Sequence, residues 1–302
     1  MSILLVSLFS FLTALTACLF LESFAVRFNL MDHPGERKLQ KIPIPRAGGS
    51  AVIIAFVISL LFAKAQFVNL GIFGAAIVYA GGFYDDQKPS NTVLEKVIFQ
   101  LLGVAMASSY FFLAGVAPVF VFLSGGFIFL MINSFNLMDN MNGLTAGMSI
   151  LILVSFLLVG LISGVEAFAL SAALLGFLFR NFPKGKIFLG DQGSQFLGYW
   201  ISFIACRGIL TGVHLLDNRW FIFESLLTLL LIFAPFFVDT ISVIVIRLKN
   251  GAPISKGDQN HLSHQLLRLG FNTTTAPLVL LAFQMFCGIT WCFLAWHLRG
   301  SV

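Results

Sequence analysis

Uncharged apolar runs recur along this chain, and their length limits the folds that it can adopt. About 20 such residues cross the hydrocarbon core of a bilayer as an α-helix. Lipid admits only helices and closed barrels, because every backbone polar group must find a partner within the protein. The runs are too long and too continuous for barrel strands, in which apolar and polar residues alternate. The sequence therefore predicts an all-α, polytopic membrane protein.

We predict ten transmembrane helices separated by polar loops. Their approximate bounds are 2–21, 47–63, 67–83, 97–113, 117–136, 144–162, 167–180, 193–210, 221–247 and 276–297. The first run has no charged segment before it and no evident cleavage site, so we interpret it as a retained span. No linker or repeat divides the chain, and residues 1–302 are predicted to form one integral-membrane domain.

The distribution of Lys and Arg predicts how the protein sits in the membrane. An even number of spans puts both termini on one side. The loops 22–46, 84–96, 137–143, 180–192 and 248–275 then share the other side, and with their edges they hold 14 of the 18 Lys and Arg residues. The positive-inside rule places these loops in the cytoplasm. The net charge of +5 follows largely from this bias, so no nucleic-acid partner is predicted.

The residues that could carry chemistry are concentrated in the same loops. They form five clusters: Asp32 with Arg37 and Lys38; Asp85 with Asp86; Asn133, Asn136, Asp139 and Asn142; Asp191; and Asp258 with His261 and His264. Such a collection on one face suits an enzyme that takes a charged, metal-bound substrate from water. Polar residues at membrane depth also serve as hydrogen-bonding contacts between helices, which is the simpler interpretation of the Asn residues.

The acidic residues allow two interpretations. An Asp at a helix end often only caps the helix. However, a cap needs one carboxylate, whereas Asp85 and Asp86 are adjacent and repel each other, and a divalent cation or a basic partner would relieve this. Asp191 could likewise be a cap, but its neighbours Gly190 and Gly193 allow a ligand to approach the backbone closely.

The basic and histidine-containing loops point to phosphate. His261, His264 and Arg268 recur at helical spacing, which predicts an interfacial helix with a His/Arg face toward the site. Zinc is the alternative for two His, but no Cys lies near them, so phosphate contact is the better interpretation. The loop with Arg37 and Lys38 could simply be held by anionic lipid, although its prolines and glycines favour a defined turn that would bind phosphate.

Five motifs in collinear order over residues 32–270 carry a family resemblance. They are D-x-P-x-x-R-K with P-x-P-R-x-G-G, G-x-x-D-D, N-x-x-N-x-x-D-x-x-N-G-L, F-L-G-D-x-G-S-x-x-L-G and H-L-x-H-x-L-x-x-L-G. The chain resembles the polyprenyl-phosphate N-acetylhexosamine-1-phosphate transferases of glycosyltransferase family 4. It is most similar to the branch that begins O-antigen and teichoic-acid synthesis, since the triple-His run of the muramyl-pentapeptide translocase is missing.

The resemblance implies transfer of an N-acetylhexosamine-1-phosphate, with GlcNAc as first choice, from a UDP-sugar to undecaprenyl phosphate. UMP is released, and the reaction is the first membrane step of cell-surface polysaccharide synthesis. The resemblance also implies Mg²⁺ as cofactor, for which Mn²⁺ could substitute, and a cytoplasmic active site in the cell (inner) membrane. A homodimer is compatible with this reading. Direct attack by the lipid phosphate and a covalent Asp intermediate both remain open.

The same resemblance assigns roles to individual positions. Asp191 and Asn136 match the family's metal ligands, and Asn136 also lies near the substrate. Asp85, Asp86 and Lys96 match its catalytic positions, and Lys96 also matches a diphosphate contact. Substrate-binding positions are matched by Asn142 and Phe188 for uracil and by His261, His264 and Arg247 for the diphosphate, to which the basic loop adds Arg37 and Lys38.

The chain departs from the family pattern at four positions. Asn140 and Asn142 replace the Gly and the second Asp of the common D-G-x-D-G pattern, which leaves nucleotide selectivity open. Gln40 stands where many members have His. Ser263 stands where close relatives have a further His, so one phosphate contact is in question.

A secondary transporter of an anionic substrate is the main alternative from another class, with a scaffolding membrane protein behind it. Transporters hold their substrates near the bilayer midplane, on broken helices in related repeats. Here the polar groups sit at span ends on one face, and the two halves of the chain show no repeat. The sequence therefore favours the enzyme.

Overall fold

The computed structural model describes residues 2–35, 40–65, 69–88, 92–212, 221–251, 253 and 259–300. Arg37, Lys38 and Asp258 lie outside these described residues. The described helices are α1 Ile3–Phe24, α2 Gly48–Phe62, α3 Asn69–Gln87, α4 Val93–Leu113, α5 Pro118–Met138, α6 Leu144–Leu158, α7 Gly164–Asn181, α8 Gly190–Gly212, α9 Phe221–Ile232, α10 Ala234–Lys249, α11 Leu262–Arg268 and α12 Thr275–Gly300. A short antiparallel ladder joins β1 Met31–Asp32 to β2 Ile44–Pro45.

The predicted all-α membrane class is confirmed, whereas the count of ten spans is not. Five segments in the described part of the chain are long and apolar enough to cross a bilayer: Ile3–Phe28, Val93–Leu113, Pro118–Met138, Gly164–Asn181 and Thr275–His297. The bent pair α9 and α10 would make a sixth. The apolar helices α2 and α6 have 15 residues each, which is short of the ~20 that a full crossing needs.

The predicted span 221–247 is divided into two helices, α9 and α10. The chain bends by 74° between α9 and α10. Pro235 lies in the first turn of α10, where its missing N–H leaves no helical hydrogen bond unmade. A second helix therefore begins within the apolar run, and the axis of α10 differs in direction from that of α9.

Helix α8 lies at the centre of the bundle and packs against α2, α3 and α5. Its side chains Tyr199, Trp200 and Phe203 are buried. At the periphery, only 22–28% of the most apolar stretch of α1, α4 and α12 is buried within the protein. Exposed apolar faces of this size mark contact with lipid or protein rather than water, so these helices form the lipid-facing rim.

Glycines let three helices meet closely around the N-terminus of α8. A Cβ atom on Gly49 of α2 would lie 2.5 Å from the Cα of Gly193, and one on Gly82 of α3 would lie 2.6 Å from the backbone oxygen of Asp191. The N–H groups of Gly48 and Gly49 donate to the carbonyls of residues 188 and 189, each at 2.8 Å. Any side chain at these glycines would push the helices apart, and Asp191 would move with them.

Candidate active site

Four helix ends converge on the ammonium group of Lys96, in the first turn of α4. Its Nζ lies 3.0 Å from Oδ2 of Asp85 at the end of α3 and 3.3 Å from Oδ1 of Asn136 near the end of α5. It also forms an ion pair with Asp191, in the first turn of α8. The structure thus brings together three of the five sequence clusters, and we call these four residues the acid–lysine cluster.

Asp86 turns away from its neighbour and holds the start of α8. Its two carboxylate oxygens accept the backbone N–H groups of Asp191 and Gln192, at 3.1 and 3.0 Å. Nη1 of Arg46 lies 3.7 Å from the same carboxylate. Burial raises the pKa of Asp86, and the negative charge of Asp191 raises it further. The adjacent acids therefore have separate partners, and Asp86 fixes the backbone from which Asp191 projects.

A row of three amides, of which Gln100 and Gln195 are buried, leads to Asp191 from within the bundle. Nδ2 of Asn133 donates to Oε1 of Gln100 at 3.0 Å, and Nε2 of Gln100 donates to Oε1 of Gln195 at 3.0 Å. Nε2 of Gln195 then donates to Oδ2 of Asp191 at 3.5 Å. All three amides point their donors toward the carboxylate, so the row stabilises its ionised form and limits its rotation.

A cavity of about 570 Å³ opens beside the cluster, and Asp191 lines it. Besides aliphatic side chains, the lining contains acids and amides, basic or imidazole groups, and one aromatic ring. They include Asp32, Asp139, Asn140, Asn142, Lys41, Arg46, Lys184, His261, His264 and Phe188. Asp85, Asp86, Lys96, Asn136 and Arg247 are not among the described residues that line it. Asp191 therefore belongs to two parts of the site: the cavity, which can hold a ligand, and the acid–lysine cluster.

One part of the cavity wall places an amide beside an aromatic ring. Nδ2 of Asn142 donates to the carbonyl of Pro183 at 3.2 Å. A Cβ on Gly185 would lie 2.7 Å from Oδ1 of Asn142 and 2.8 Å from Cε1 of Phe188, so only glycine lets the loop 183–186 pass this close. The N–H of Phe188 is fixed by the carbonyl of Pro45 at 2.7 Å. An amide thus stands beside an aromatic ring at a fixed position.

The histidines form another part of the cavity wall, though not as predicted. His261 immediately precedes α11, while His264 lies on it, and their ring centroids are 6.4 Å apart. Nδ1 of His261 pairs with Oδ2 of Asp239 at 2.8 Å. Arg268 is exposed, donates to the carbonyl of Gln259 and is not among the described residues that line the cavity, so the predicted His/Arg face toward the site is not confirmed for Arg268.

Two of the four departures from the family pattern contact each other. Oγ of Ser263 on α11 donates to Oδ1 of Asn140, in the loop that follows α5. This bond ties the histidine wall to the loop that carries Asn142. Gln40 donates to Asp32, which also pairs with Arg46. The side chains that replace the family's usual residues therefore contact other residues at the cavity or directly beside it.

The structure places two further acids at the site, and sequence reasoning missed one of them. Asp139, which belongs to one of the five sequence clusters and is the alternative catalytic acid, lies at the C-terminal end of α5 and lines the cavity, and burial raises its pKa to about 7. Asp239 was not singled out at all. A lone acid within an apolar run is itself a signal of function, because a charge at membrane depth is expensive. Arg247 is buried at the end of the same helix, α10.

Comparisons with known proteins agree with this arrangement. The sequence profile of glycosyl transferase family 4 matches residues 68–209. A protein of Bacillus subtilis (strain 168), named probable undecaprenyl-phosphate N-acetylglucosaminyl 1-phosphate transferase, is 30% identical over 292 residues, covering 90% of this chain and 79% of that protein.

Two further relatives have related names. The undecaprenyl-phosphate alpha-N-acetylglucosaminyl 1-phosphate transferase of Escherichia coli (strain K12) is 26% identical over 90% of this chain and 78% of its own length. The decaprenyl-phosphate N-acetylglucosaminephosphotransferase of Mycolicibacterium smegmatis is 26% identical over 85% of this chain and 73% of its own. The similarity extends over nearly the whole molecule, and the profile covers the acid–lysine cluster. This chain belongs to the polyprenyl-phosphate N-acetylhexosamine-1-phosphate transferases of glycosyl transferase family 4.

Proposed function

We propose that this membrane-embedded sugar-phosphate transferase moves GlcNAc-1-phosphate from UDP-GlcNAc to undecaprenyl phosphate and releases UMP. The names of the relatives support the sugar and the lipid. The observation that carries the proposal is the position of Asp191, which belongs both to the ligand cavity and to the acid–lysine cluster. A donor held in the cavity would bring its diphosphate to the same carboxylate that the cluster presents.

Mg²⁺ is the proposed cofactor, and the donor atoms fit it. Oxygens of Asp85, Asn136 and Asp191 surround one point, where the Lys96 ammonium now supplies the positive charge. Magnesium takes oxygen ligands, usually one or two carboxylates with water and substrate phosphate rather than a complete protein cage. We assign Asp191 and Asn136 as ligands, with Mn²⁺ as a substitute ion.

The donor is proposed to lie along the cavity wall. Uracil would rest against Phe188 and pair with the Asn142 amide, while the diphosphate would extend toward His261 and His264. Bound Mg²⁺ would offset the negative charge of the diphosphate. Lys96 supplies a fixed positive charge beside Asp191 where charge develops during phosphoryl transfer.

In the reaction itself, an oxygen of the lipid phosphate forms a bond to the sugar-bearing phosphorus, and the bond from that phosphorus to the UMP oxygen breaks. The bilayer holds the lipid phosphate at the depth of the helix ends, which reduces the entropy cost of bringing two reactants together. Of the two adjacent acids, Asp85 is the one that contacts Lys96. It is placed to act on the incoming phosphate, while Asp86 positions the start of α8.

The function is tested by incubating the purified protein with Mg²⁺, undecaprenyl phosphate and a panel of UDP-N-acetyl sugars. We expect UMP and a lipid-linked sugar diphosphate in equal amounts, with UDP-GlcNAc the best donor. Omitting the lipid phosphate, or replacing it with undecaprenol, should stop UMP release. A transporter would bind or move the donor without cleaving it. Donor binding with no UMP under any condition would overturn the proposal.

The proposed cytoplasmic side of the site predicts a labelling pattern. The native Cys18, Cys206 and Cys287 are buried and Cys292 is partly buried, so an exposed introduced Cys should dominate labelling. A membrane-impermeant maleimide should reach Cys at positions 88, 186 and 268 only after the cytoplasmic face is opened. Cys at positions 114 and 163, at the other ends of the helices, should react in intact cells. Labelling of positions 186 and 268 from opposite faces would exclude a shared site.

A further inference from the structure

Asp239 is a carboxylate on the buried face of α10, a helix whose other face is exposed and apolar. It lies on α10, is 0% exposed, and its helix neighbours Val238 and Ile241 are 45% and 58% exposed. An ionisable group at this depth persists only where partners compensate for its lost hydration. The residues that Asp239 contacts therefore indicate what this carboxylate does in the protein.

Each oxygen of Asp239 has a partner at the entrance to α11. Oδ1 accepts the backbone N–H of Leu262 at 2.7 Å, the first residue of that helix. Oδ2 pairs with Nδ1 of His261 at 2.8 Å, and the two side chains are 1% and 7% exposed. The side chain of His261 makes no capping bond of its own, so Asp239 caps α11 from a neighbouring helix.

The ring contact has a chemical consequence that a cap does not need. A carboxylate only accepts hydrogen bonds, so the proton in the pair lies on Nδ1 of His261. The other ring nitrogen, Nε2, is then the one that His261 offers to the cavity it lines. Carboxylates that bind one nitrogen of a histidine in this way set its tautomer and orientation for work at the other nitrogen.

We propose that Asp239 is a positioning residue that directs Nε2 of His261 toward a phosphate group of the bound substrate. The inference rests on the proposed function for the identity of that phosphate. The next residue already links α10 to α5, because Oγ1 of Thr240 donates to Oγ of Ser134 at 2.9 Å. Asp239 adds a charged contact to a ring, which attachment alone does not require.

Asp239→Asn tests the inference because it separates the cap from the ring contact. The Asn oxygen can still accept the Leu262 N–H, but its amide would donate to Nδ1 and move the ring proton of His261 to Nε2. We expect kcat for UMP release to fall on the order of 10- to 100-fold, as for other carboxylates that orient a working histidine. KM for the UDP-sugar should change far less. Thr240→Val, a buried polar change on the same helix, should leave kcat close to that of the wild type.

A double variant shows whether Asp239 acts through His261. We expect Asp239→Asn combined with His261→Gln to be no slower than the slower of the two single variants. Asp239→Asn with normal kcat beside an inactive His261→Gln would reduce Asp239 to a cap. Multiplied losses in the double variant would also overturn the inference, as would a slow Asp239→Asn beside an unimpaired His261→Gln.

A second readout does not depend on turnover. In protein labelled with ¹⁵N at the histidine rings, the His261 signals are those lost in His261→Gln. We expect Nδ1 of His261 to carry a proton in the wild type and to lose it in Asp239→Asn. An unchanged ring spectrum would overturn the inference whatever the enzyme does. A shifted spectrum in a protein that releases no UMP would preserve the positioning role and remove the proposed function instead.

Discussion

Asp191→Asn is expected to abolish sugar-phosphate transfer while the protein remains folded. The carboxylate faces Lys96 on one side and the amide row through Gln195 on the other, and it borders the cavity. Losing a carboxylate that positions a metal withdraws several kcal/mol of charge stabilisation, which corresponds to a loss of roughly a thousandfold or more in kcat. The measurements are UMP release and the affinity for Mn²⁺ followed by its electron paramagnetic resonance signal.

The control removes a carboxylate of comparable exposure outside the site. Glu22 forms an ion pair with Arg180 between α1 and α7, and Glu22→Gln should retain nearly all activity and Mn²⁺ affinity. Detergent-solubilised yield and gel-filtration profile should be the same for both variants. If Asp191→Asn turned over at a near-normal rate, Asp191 would be only an acidic residue favouring the N-terminus of α8.

The adjacent acids should lose function as a unit. Asp85 contacts Lys96 directly, and Asp86 acts on the same cluster by holding the backbone of Asp191. We therefore expect Asp85→Asn and Asp86→Asn each to lower kcat by orders of magnitude. The double variant should be scarcely slower than the more impaired single variant. Binding of the UDP-sugar should survive in at least one of them, because the cavity contacts come from other residues.

Two results would contradict this arrangement. Losses that multiply in the double variant would mean that the acids act independently. Near-normal activity in both single variants would mean that the pair only stabilises helix ends. The catalytic acid would then be Asp139, which lines the cavity, or Asp258, which lies outside the described residues. Measuring UDP-sugar affinity together with kcat keeps a folding defect from being mistaken for either result.

Helix formation was predictable here because it depends on local composition. A run such as 117–136 has only one way to satisfy its backbone in lipid, and α5 covers it as Pro118–Met138. The break between α9 and α10 was also readable, since Pro235 lies within the run 221–247. It was missed because hydropathy does not register a helix start when the residues on both sides are apolar.

The members of the site were predictable as residue types, while their pairings were not. A motif with two acids shows that carboxylates are present, but not that Asp86 would cap a helix that begins at residue 190. The amide row and the Asp239–His261 pair depend on how helices far apart in sequence pack. Asp239 was nevertheless visible as a charge in an apolar run, and weighing it as an intramembrane acid would have identified it.

The acid–lysine cluster and the cavity are also completed in a fixed order as the chain is synthesised. The acid–lysine cluster is complete once α8 has been inserted, because its last member is Asp191. The histidine wall of the cavity is synthesised later, since His261 follows Asp191 by 70 residues. At about 5–20 residues per second, translation needs roughly 4–14 seconds to bridge that interval. During it the ribosome-bound chain would hold the carboxylates and the proposed uracil contacts Asn142 and Phe188 without the histidines proposed to contact the diphosphate, so catalytic competence is among the last properties that the nascent protein gains.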